Sequence, residues 1–357
     1  MALDMRYYID RQPEAMRQTL DARRELGEAF ARLWLEHGPD RLYLVGSGTS
    51  GNGVRAAAGF MQRVLDTEVT AVSPTSLPGL LRGKPMFVFV SQGGQSTNTV
   101  KAIEAMEAWP HLALTGEQDC RVNQVSPHTV LACEHEEAGP KTMGYTCTIL
   151  TLYLMAIGAA VAAGCMTEAA AEGWTARFRA MADRTEENIA MTRRWLRETQ
   201  AELLRAQSWA IAGVGTGREV ASEAALKLQE TILLPAAGFE YEEYLHGPTM
   251  MLRAEMGGLY LLPPEAHPDR PRMEALAEIH AGFGSPVLAV AAGKQAAYGG
   301  RRLTLAADEE ECLAPFWQIL PSQVMASELP EQLGTAGAGS RIFRMIDEAV
   351  GVKCPKE

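Results

Sequence analysis

Short apolar runs alternate along the chain with longer amphipathic stretches, and that rhythm sets the expected elements. Residues 5–37 carry apolar positions at helical spacing (Met16, Leu20, Leu26, Phe30, Leu33), with charges between them, and close at His37-Gly38-Pro39, a stop followed by a turn. The run Arg41-Leu-Tyr-Leu-Val45 ends in Gly46-Ser-Gly-Thr-Ser50 and gives way to helical sequence through Met61, as a strand, a glycine-rich turn and a helix would. The pattern repeats at 86–90, with Ser91-Gln-Gly-Gly-Gln-Ser96 as the turn and 97–109 as the helix. Residues 111–115 and 129–133 add apolar strands, and 142–163 and 174–205 read as connecting helices. A second cycle then begins: Ser208-Trp-Ala-Ile-Ala212, the turn Gly213-Val-Gly-Thr-Gly217, a helix to Leu234, and strands at 258–262 and 286–290. Strands alternating with helices predict mainly parallel sheets covered on both faces. The Gly46/Gly48 pair matches Gly213/Gly215, so an internal duplication is expected. The fold class is α/β, two tandem flavodoxin-like (doubly wound) domains: 1–190 with the opening helical region, and 191–357 with the C-terminal tail.

Composition narrows the function. A chain of 357 residues, 47% hydrophobic and 22% charged, can bury two ordinary globular cores. Its formal net charge of -11, without a sustained Lys/Arg run, argues against a nucleic-acid partner. A small phosphate is still allowed, because backbone N–H groups and hydroxyls can build such a site locally. The six cysteines lack CxxC spacing and do not cluster with histidines, so neither a zinc site nor a redox dithiol is expected, and a reducing compartment is. The N-terminus has no secretory apolar stretch, and the most apolar segment, 149–163, is shorter than a membrane span. The expected location is the cytoplasm, off the membrane.

Two turns carry candidate chemistry. Ser47-Gly-Thr-Ser50 and Ser91-Gln-Gly-Gly-Gln-Ser96 each follow a strand and open a helix, so hydroxyls, N–H groups and positive dipole ends could converge at one sheet edge. Either turn alone reads as an ordinary N-cap; two in succession on one sheet read as a phosphate cradle. Neither the P-loop ending nor the third glycine of a dinucleotide fingerprint is present, so the expected ligand is a sugar phosphate and no cofactor is called for. In the second half, Glu223, Lys227 and Glu230 stand at i, i+4 and i+7 of one helix and share a face. Such a stripe is usually solvated; here the small residues beside it suit close packing instead. Beyond it, the acidic, aromatic loop from Phe239 ends at His246 before Gly247-Pro248.

These segments resemble the SIS-domain family of phosphosugar isomerases, deaminases and deglycases, and in particular the isomerase half of glucosamine-6-phosphate synthase. The resemblance covers almost the whole chain. It rests on Gln12-Pro-Glu-Ala, Gly46-Ser-Gly-Thr-Ser-Gly, Val90-Ser-Gln-Gly-Gly-Gln-Ser, Lys141-Thr-Met-Gly-Tyr-Thr, Glu223-Ala-Ala-Leu-Lys-Leu-Gln-Glu and Tyr244-Leu-His-Gly-Pro. It implies tandem SIS domains, phosphate-binding positions at Ser50, Ser91, Gln92 and Ser96, and sugar-adjacent positions at Ser47, Gly48 and Thr49. Gly93 stands where the family has a serine and could serve through its N–H, and Gln95 replaces an acidic residue. The resemblance makes Glu230 the base that moves a proton between C1 and C2, with Glu223 and Lys227 as its supporting pair. It also implies that His246 assists ring opening, reaching in from the neighbouring subunit of a homodimer. The family's C-terminal lysine is not recognisable, and Lys353 is the candidate in its place.

Aldose–ketose interconversion needs one carboxylate that removes and returns a proton on a single face of an enediol, with burial tuning its pKa upward. The expected activity is therefore phosphosugar isomerisation, or deamination or deglycation of an amino-sugar phosphate, without a metal and without a glutaminase domain. Lys227 and the Glu223 pattern lean towards the isomerases and deaminases. The alternative is a non-catalytic sugar-phosphate sensor, which would need the phosphate residues but neither Glu230 nor His246.

Overall fold

A computed structural model describes residues 4–133 and 136–355. They form two compact units, Arg11–Ala180 with the tail from Ile342, and Asp4–Asp10 with Met181–Arg341. The opening helical region is two helices, Met5–Asp21 and Arg23–His37, the second closed by Gly38 in the left-handed conformation.

The first unit holds a five-stranded parallel sheet of β1 (Arg41–Gly46), β2 (Glu68–Val72), β3 (Pro85–Ser91), β4 (His111–Thr115) and β5 (Thr129–Leu131), in the order β2-β1-β3-β4-β5. Every residue of β3 and β4 is buried, as continuous apolar runs at the centre of such a sheet require. Val45, Phe87, Phe89, Val100 and Ile103 form a core on one face. Helix Met143–Ala162 is long and apolar enough to cross a membrane by length and composition, but 83% of its most apolar window is buried inside the protein, packed by Arg23–His37 and Gly48–Leu65. It is a core helix.

The second unit holds β6 (Ser208–Gly213), β7 (Ala236–Glu240), β8 (Met256–Leu261), β9 (Val287–Gly293), β10 (Ala297–Gly299) and β11 (Arg302–Ala306), ordered β10-β11-β9-β8-β6-β7. Only β10 runs antiparallel, as a hairpin partner of β11 on the edge. Without it, β7-β6-β8-β9-β11 repeats the order of the first sheet, which is the flavodoxin-like 2-1-3-4-5. The duplication extends to backbone detail. Gly48 and Gly215 sit at φ 56° and 55°, and any Cβ on Gly46 or Gly213 would collide with the backbone four residues on, at Ser50 or Gly217. Both halves thus use one strand–turn–helix geometry, expected from the paired glycines.

Four strands, β2, β7, β10 and β11, were not expected from the apolar runs. All lie at or next to a sheet edge, and β2 and β7 are mostly half-exposed, so their residues need not be apolar. The helix after β6 ends at Thr231 rather than Leu234, because Leu233 adopts φ 58° and breaks the helical path.

Candidate functional site

In a 2-1-3-4-5 sheet the strand order reverses between the first and third strands, which opens a crevice at their carboxyl ends. In the first unit, both hydroxyl-rich turns flank that point. Ser47 precedes helix Gly48–Leu65 and Ser96 precedes helix Thr97–Ala105, yet neither hydroxyl caps its helix. An ordinary N-cap would bond the first-turn N–H groups. Here the hydroxyls look elsewhere: Asn98 Nδ2 donates to Ser47 Oγ (2.8 Å), the Gln92 N–H donates to Ser50 Oγ (3.4 Å), and Ser91 Oγ donates to Ser96 Oγ (3.4 Å). The two turns are thereby tied together, with two helix N-termini beside them.

Ser47, Thr49, Ser50, Gly93 and Ser96 are partly open to solvent and Gly48 is exposed, while Ser91 and Gln92 are buried. The Gln92 side chain faces inward, accepting from Thr148 Oγ1 (3.3 Å) and donating to Cys133 Sγ (3.6 Å). Gln92 therefore offers the cradle its backbone N–H rather than its amide. A Cβ on Gly93 would meet nothing within 4 Å, so this position leaves open space beside the turn.

The tail completes this end of the unit. Thr97 donates from its N–H to Val352 O (3.1 Å) and from Oγ1 to Gly351 O (2.8 Å), and the Cys354 N–H donates to Gln95 O (2.7 Å). This short pairing places Lys353 Nζ 3.1 Å from Ser96 Oγ. The residue as a whole is exposed, but crowding of its ammonium against the turn desolvates it and draws its pKa below the ordinary lysine value, against the pull of Asp347. The first unit thus presents hydroxyls, N–H groups, two helix N-termini and one ammonium at a single crevice, the donor set of an anion site.

The second unit holds the charged face. On helix Thr216–Thr231, Lys227 Nζ lies 3.3 Å from Glu223 Oε1 and 2.6 Å from Glu230 Oε2. The Lys227 and Glu223 side chains are 0% exposed and that of Glu230 is 35% exposed, so this is a buried array with one carboxylate open at its end, not a solvated stripe. Burial pulls the Lys227 pKa down, but Glu223 and Glu230 outweigh it and hold the pKa above the ordinary lysine value. His246 ends the short helix Tyr241–Leu245 and is exposed, and among the described residues no hydrogen bond or ion pair ties its ring to the array.

Two polar arrangements in the first unit were not visible in the sequence. Asn98, the second residue of its helix, bridges the turns through Ser47. Glu136 is fully buried at the start of helix Met143–Ala162, where Thr142 N–H, Thr142 Oγ1 and Gly144 N–H donate to its carboxylate within 2.9 Å. Burial raises its pKa, while those donors and Lys141 oppose the rise. That helix terminus is therefore already served by an internal anion. Among the described residues, no group of three or more His, Cys, Asp or Glu is placed to hold a metal.

No protein-family model matches the chain. A glutamine–fructose-6-phosphate aminotransferase (isomerizing) of Streptococcus pyogenes serotype M3 is 28% identical over 262 residues, covering 69% of this chain and 42% of the relative. The chain thus spans about two-fifths of the length of that curated relative. A protein of Clostridium difficile 630 assigned as a phosphosugar isomerase superposes with a TM-score of 0.86, covering 94% of this chain and 95% of its own at 23% identity. The C-terminal domain of glucosamine-fructose-6-phosphate aminotransferase from Francisella tularensis gives a TM-score of 0.77, with 93% and 96% coverage and 16% identity. Glucosamine-6-phosphate deaminase from Thermotoga maritima gives 0.70, with 89% and 95% coverage and 20% identity. By sequence the chain is thus similar to part of the isomerizing glutamine–fructose-6-phosphate aminotransferases, and it shares the fold of these solved structures.

Proposed function

We propose that this chain is a phosphosugar-processing enzyme, an aldose–ketose isomerase or an amino-sugar-phosphate deaminase or deglycase, in which Glu230 moves a proton between C1 and C2. One observation carries the reading: Glu230 is the open end of an otherwise buried carboxylate–lysine–carboxylate array. Lys227 fixes the orientation of Glu230, and Glu223 balances the lysine charge from behind. A positioned carboxylate can then take a proton from one carbon and return it to the next on the same face of the enediol. Ser50, Ser91, Ser96 and the Gln92 N–H hold the phosphate, Ser47, Gly48 and Thr49 border the sugar, and His246 assists ring opening. The phosphate supplies binding energy remote from the reacting carbons.

The test is proton exchange in heavy water with hexose phosphates, amino-hexose phosphates and fructosamine phosphates, followed by NMR. Deuterium should enter C1 or C2 of at least one of them, and its product distinguishes isomerase, deaminase and deglycase. Binding without exchange of any of them would overturn the enzyme reading in favour of a sugar-phosphate sensor.

Lys353 belongs to the phosphate site in this reading, supported by its contact with Ser96. A charge-assisted hydrogen bond to phosphate implies that Lys353→Met weakens sugar-phosphate binding by about tenfold. The fold should hold, because the tail is docked by backbone bonds and by the Lys353 N–H on Asp347. Calorimetric titration checks it; unchanged affinity would remove Lys353 from the site.

We also infer a homodimer and a reducing, cytoplasmic compartment. Six cysteines without CxxC spacing support the latter. Helix Ala338–Val350 buries none of its residues and exposes Ile342, Phe343, Met345 and Ile346, an apolar face of the kind that marks an interaction surface. Light scattering should give about twice the 38.8 kDa chain mass, and Ile346→Glu should halve it; a monomeric native chain would overturn the dimer.

A further inference from the structure

The half-buried serines of the first-unit crevice share one hydrogen-bonding polarity. Ser47 Oγ accepts from Asn98 Nδ2 (2.8 Å), Ser50 Oγ accepts from the Gln92 N–H (3.4 Å), and Ser96 Oγ accepts from Ser91 Oγ (3.4 Å) and from Lys353 Nζ (3.1 Å). Among the described residues, none of these three hydroxyls donates to a protein acceptor. A hydroxyl carries one proton and two lone pairs. Each of the three therefore has a lone pair committed to the protein and its proton left for a ligand.

No carboxylate balances these donors within the turns, since Ser47–Ser50 and Ser91–Ser96 contain neither Asp nor Glu. The charged groups at this end are Lys353, Asp347, whose carboxylate accepts from the Lys353 N–H (2.7 Å), and Arg55, whose guanidinium bonds to Asn52 Oδ1. Two thiols stand behind the second turn: a Cβ on Gly94 would run into Cys120, and Cys354 Sγ lies 3.8 Å from Thr97 Oγ1. Glu136 spends its carboxylate on Thr142 and Gly144. A singly protonated phosphate has one oxygen that must donate, and it meets no carboxylate in these turns. A fully ionised tetrahedral oxyanion presents acceptors alone and matches the set. Asn98 decides the polarity at Ser47, because an asparagine amide can donate to that hydroxyl and an aspartate of the same shape cannot.

We propose that Asn98 is a specificity-determining residue: by donating to Ser47 it keeps the crevice proton-donating, so that the site selects the doubly ionised form of a phosphate monoester and accepts sulfate as well. The inference rests on the reading of this crevice as a phosphate site and is independent of Glu230 and the proton transfer. In Asn98→Asp the Ser47 hydroxyl would turn its proton to the new carboxylate. The crevice would lose a donor and gain an acceptor and a negative charge, which suits a phosphate that still carries its proton.

The test follows the ³¹P line width of methyl phosphate on the full chain, with inorganic sulfate as competitor. A phosphate monoester loses its second proton near pH ~6, so its dianion fraction falls about tenfold between pH 7 and pH 5. Methyl phosphate affinity should fall by the same factor, while sulfate, which has no proton to lose in this range, should compete equally well at both. Any titration of the protein itself acts on both anions, so the ratio of the two affinities isolates the ligand's own proton. Asn98→Asp should weaken sulfate at least about tenfold and leave methyl phosphate bound better at pH 5 than at pH 7. Asn98→Ala, which frees the Ser47 hydroxyl without adding a charge, should weaken both anions and keep the native pH dependence; thermal unfolding of both variants checks that they fold. A ratio that does not change with pH in the native chain, or Asn98→Asp behaving as Asn98→Ala does, would overturn this inference and leave the phosphate site standing. A native chain that broadens methyl phosphate at neither pH would overturn the phosphate site and this inference with it.

Discussion

Glu230→Gln is expected to slow deuterium entry at C1 and C2 by about 10²- to 10⁴-fold, the usual worth of a positioned general base, while the protein folds normally. The substitution is mild where structure is concerned. Glutamine keeps an oxygen to accept from Lys227 Nζ, which Glu230 Oε2 now does at 2.6 Å, and the position is partly open to water. What it removes is a group that can accept a carbon-bound proton. In this reading the phosphate is held by the first-unit turns and Lys353, so affinity for the sugar phosphate should survive. A large fall in exchange rate at unchanged affinity separates a base from a binding residue. Exchange in Glu230→Gln at the native rate would dismiss Glu230 as the base and leave the array a structural ion cluster.

What could be read from the chain follows from where each residue sits. Strands β1, β3, β4, β6, β8 and β9 are legible because strands inside a parallel sheet must be apolar on both faces, and their sequences are. β2 (Glu-Val-Thr-Ala-Val) lies on an edge, where half its surface can be polar, and the run does not announce itself. The turns of the first unit are legible because glycine and serine at a strand end have few other uses, and the Gly48 and Gly215 backbones bear out the paired motif. The sharing of one helix face by Glu223, Lys227 and Glu230 follows from their spacing. Their burial does not, since the same spacing suits a solvated stripe; it depends on Ala224, Ala225 and Leu228 beside them being buried with them. Nothing local could bring Lys353 to Ser96, a contact between residues 257 positions apart that rests on the tail's backbone pairing with Gln95 and Thr97. The same holds for Glu311, which accepts from the Thr216 N–H although 95 positions separate them.

The largest effect on stability is expected from Lys227→Met. Breaking a buried ion pair by removing one partner costs about 3–5 kcal/mol, and here Glu223, 0% exposed, would keep its carboxylate in the core without the lysine ammonium 3.3 Å away. Urea unfolding should show the loss as a lower midpoint at unchanged slope. Glu223→Met/Lys227→Met should recover most of it, because a matched apolar pair has no charge to desolvate. The pH dependence supplies an independent check. The folded-state pKa of Lys227 is raised, so its contribution is fully present below the ordinary value of about 10.5 and is lost as pH climbs through the raised folded value. The stability gap between native chain and variant should therefore stay level from neutral pH to about 10 and narrow above that. A gap under about 1 kcal/mol at pH 7, the range of an exposed pair, would mean that water reaches the array, and the orientation it imposes on Glu230 would lose its physical basis.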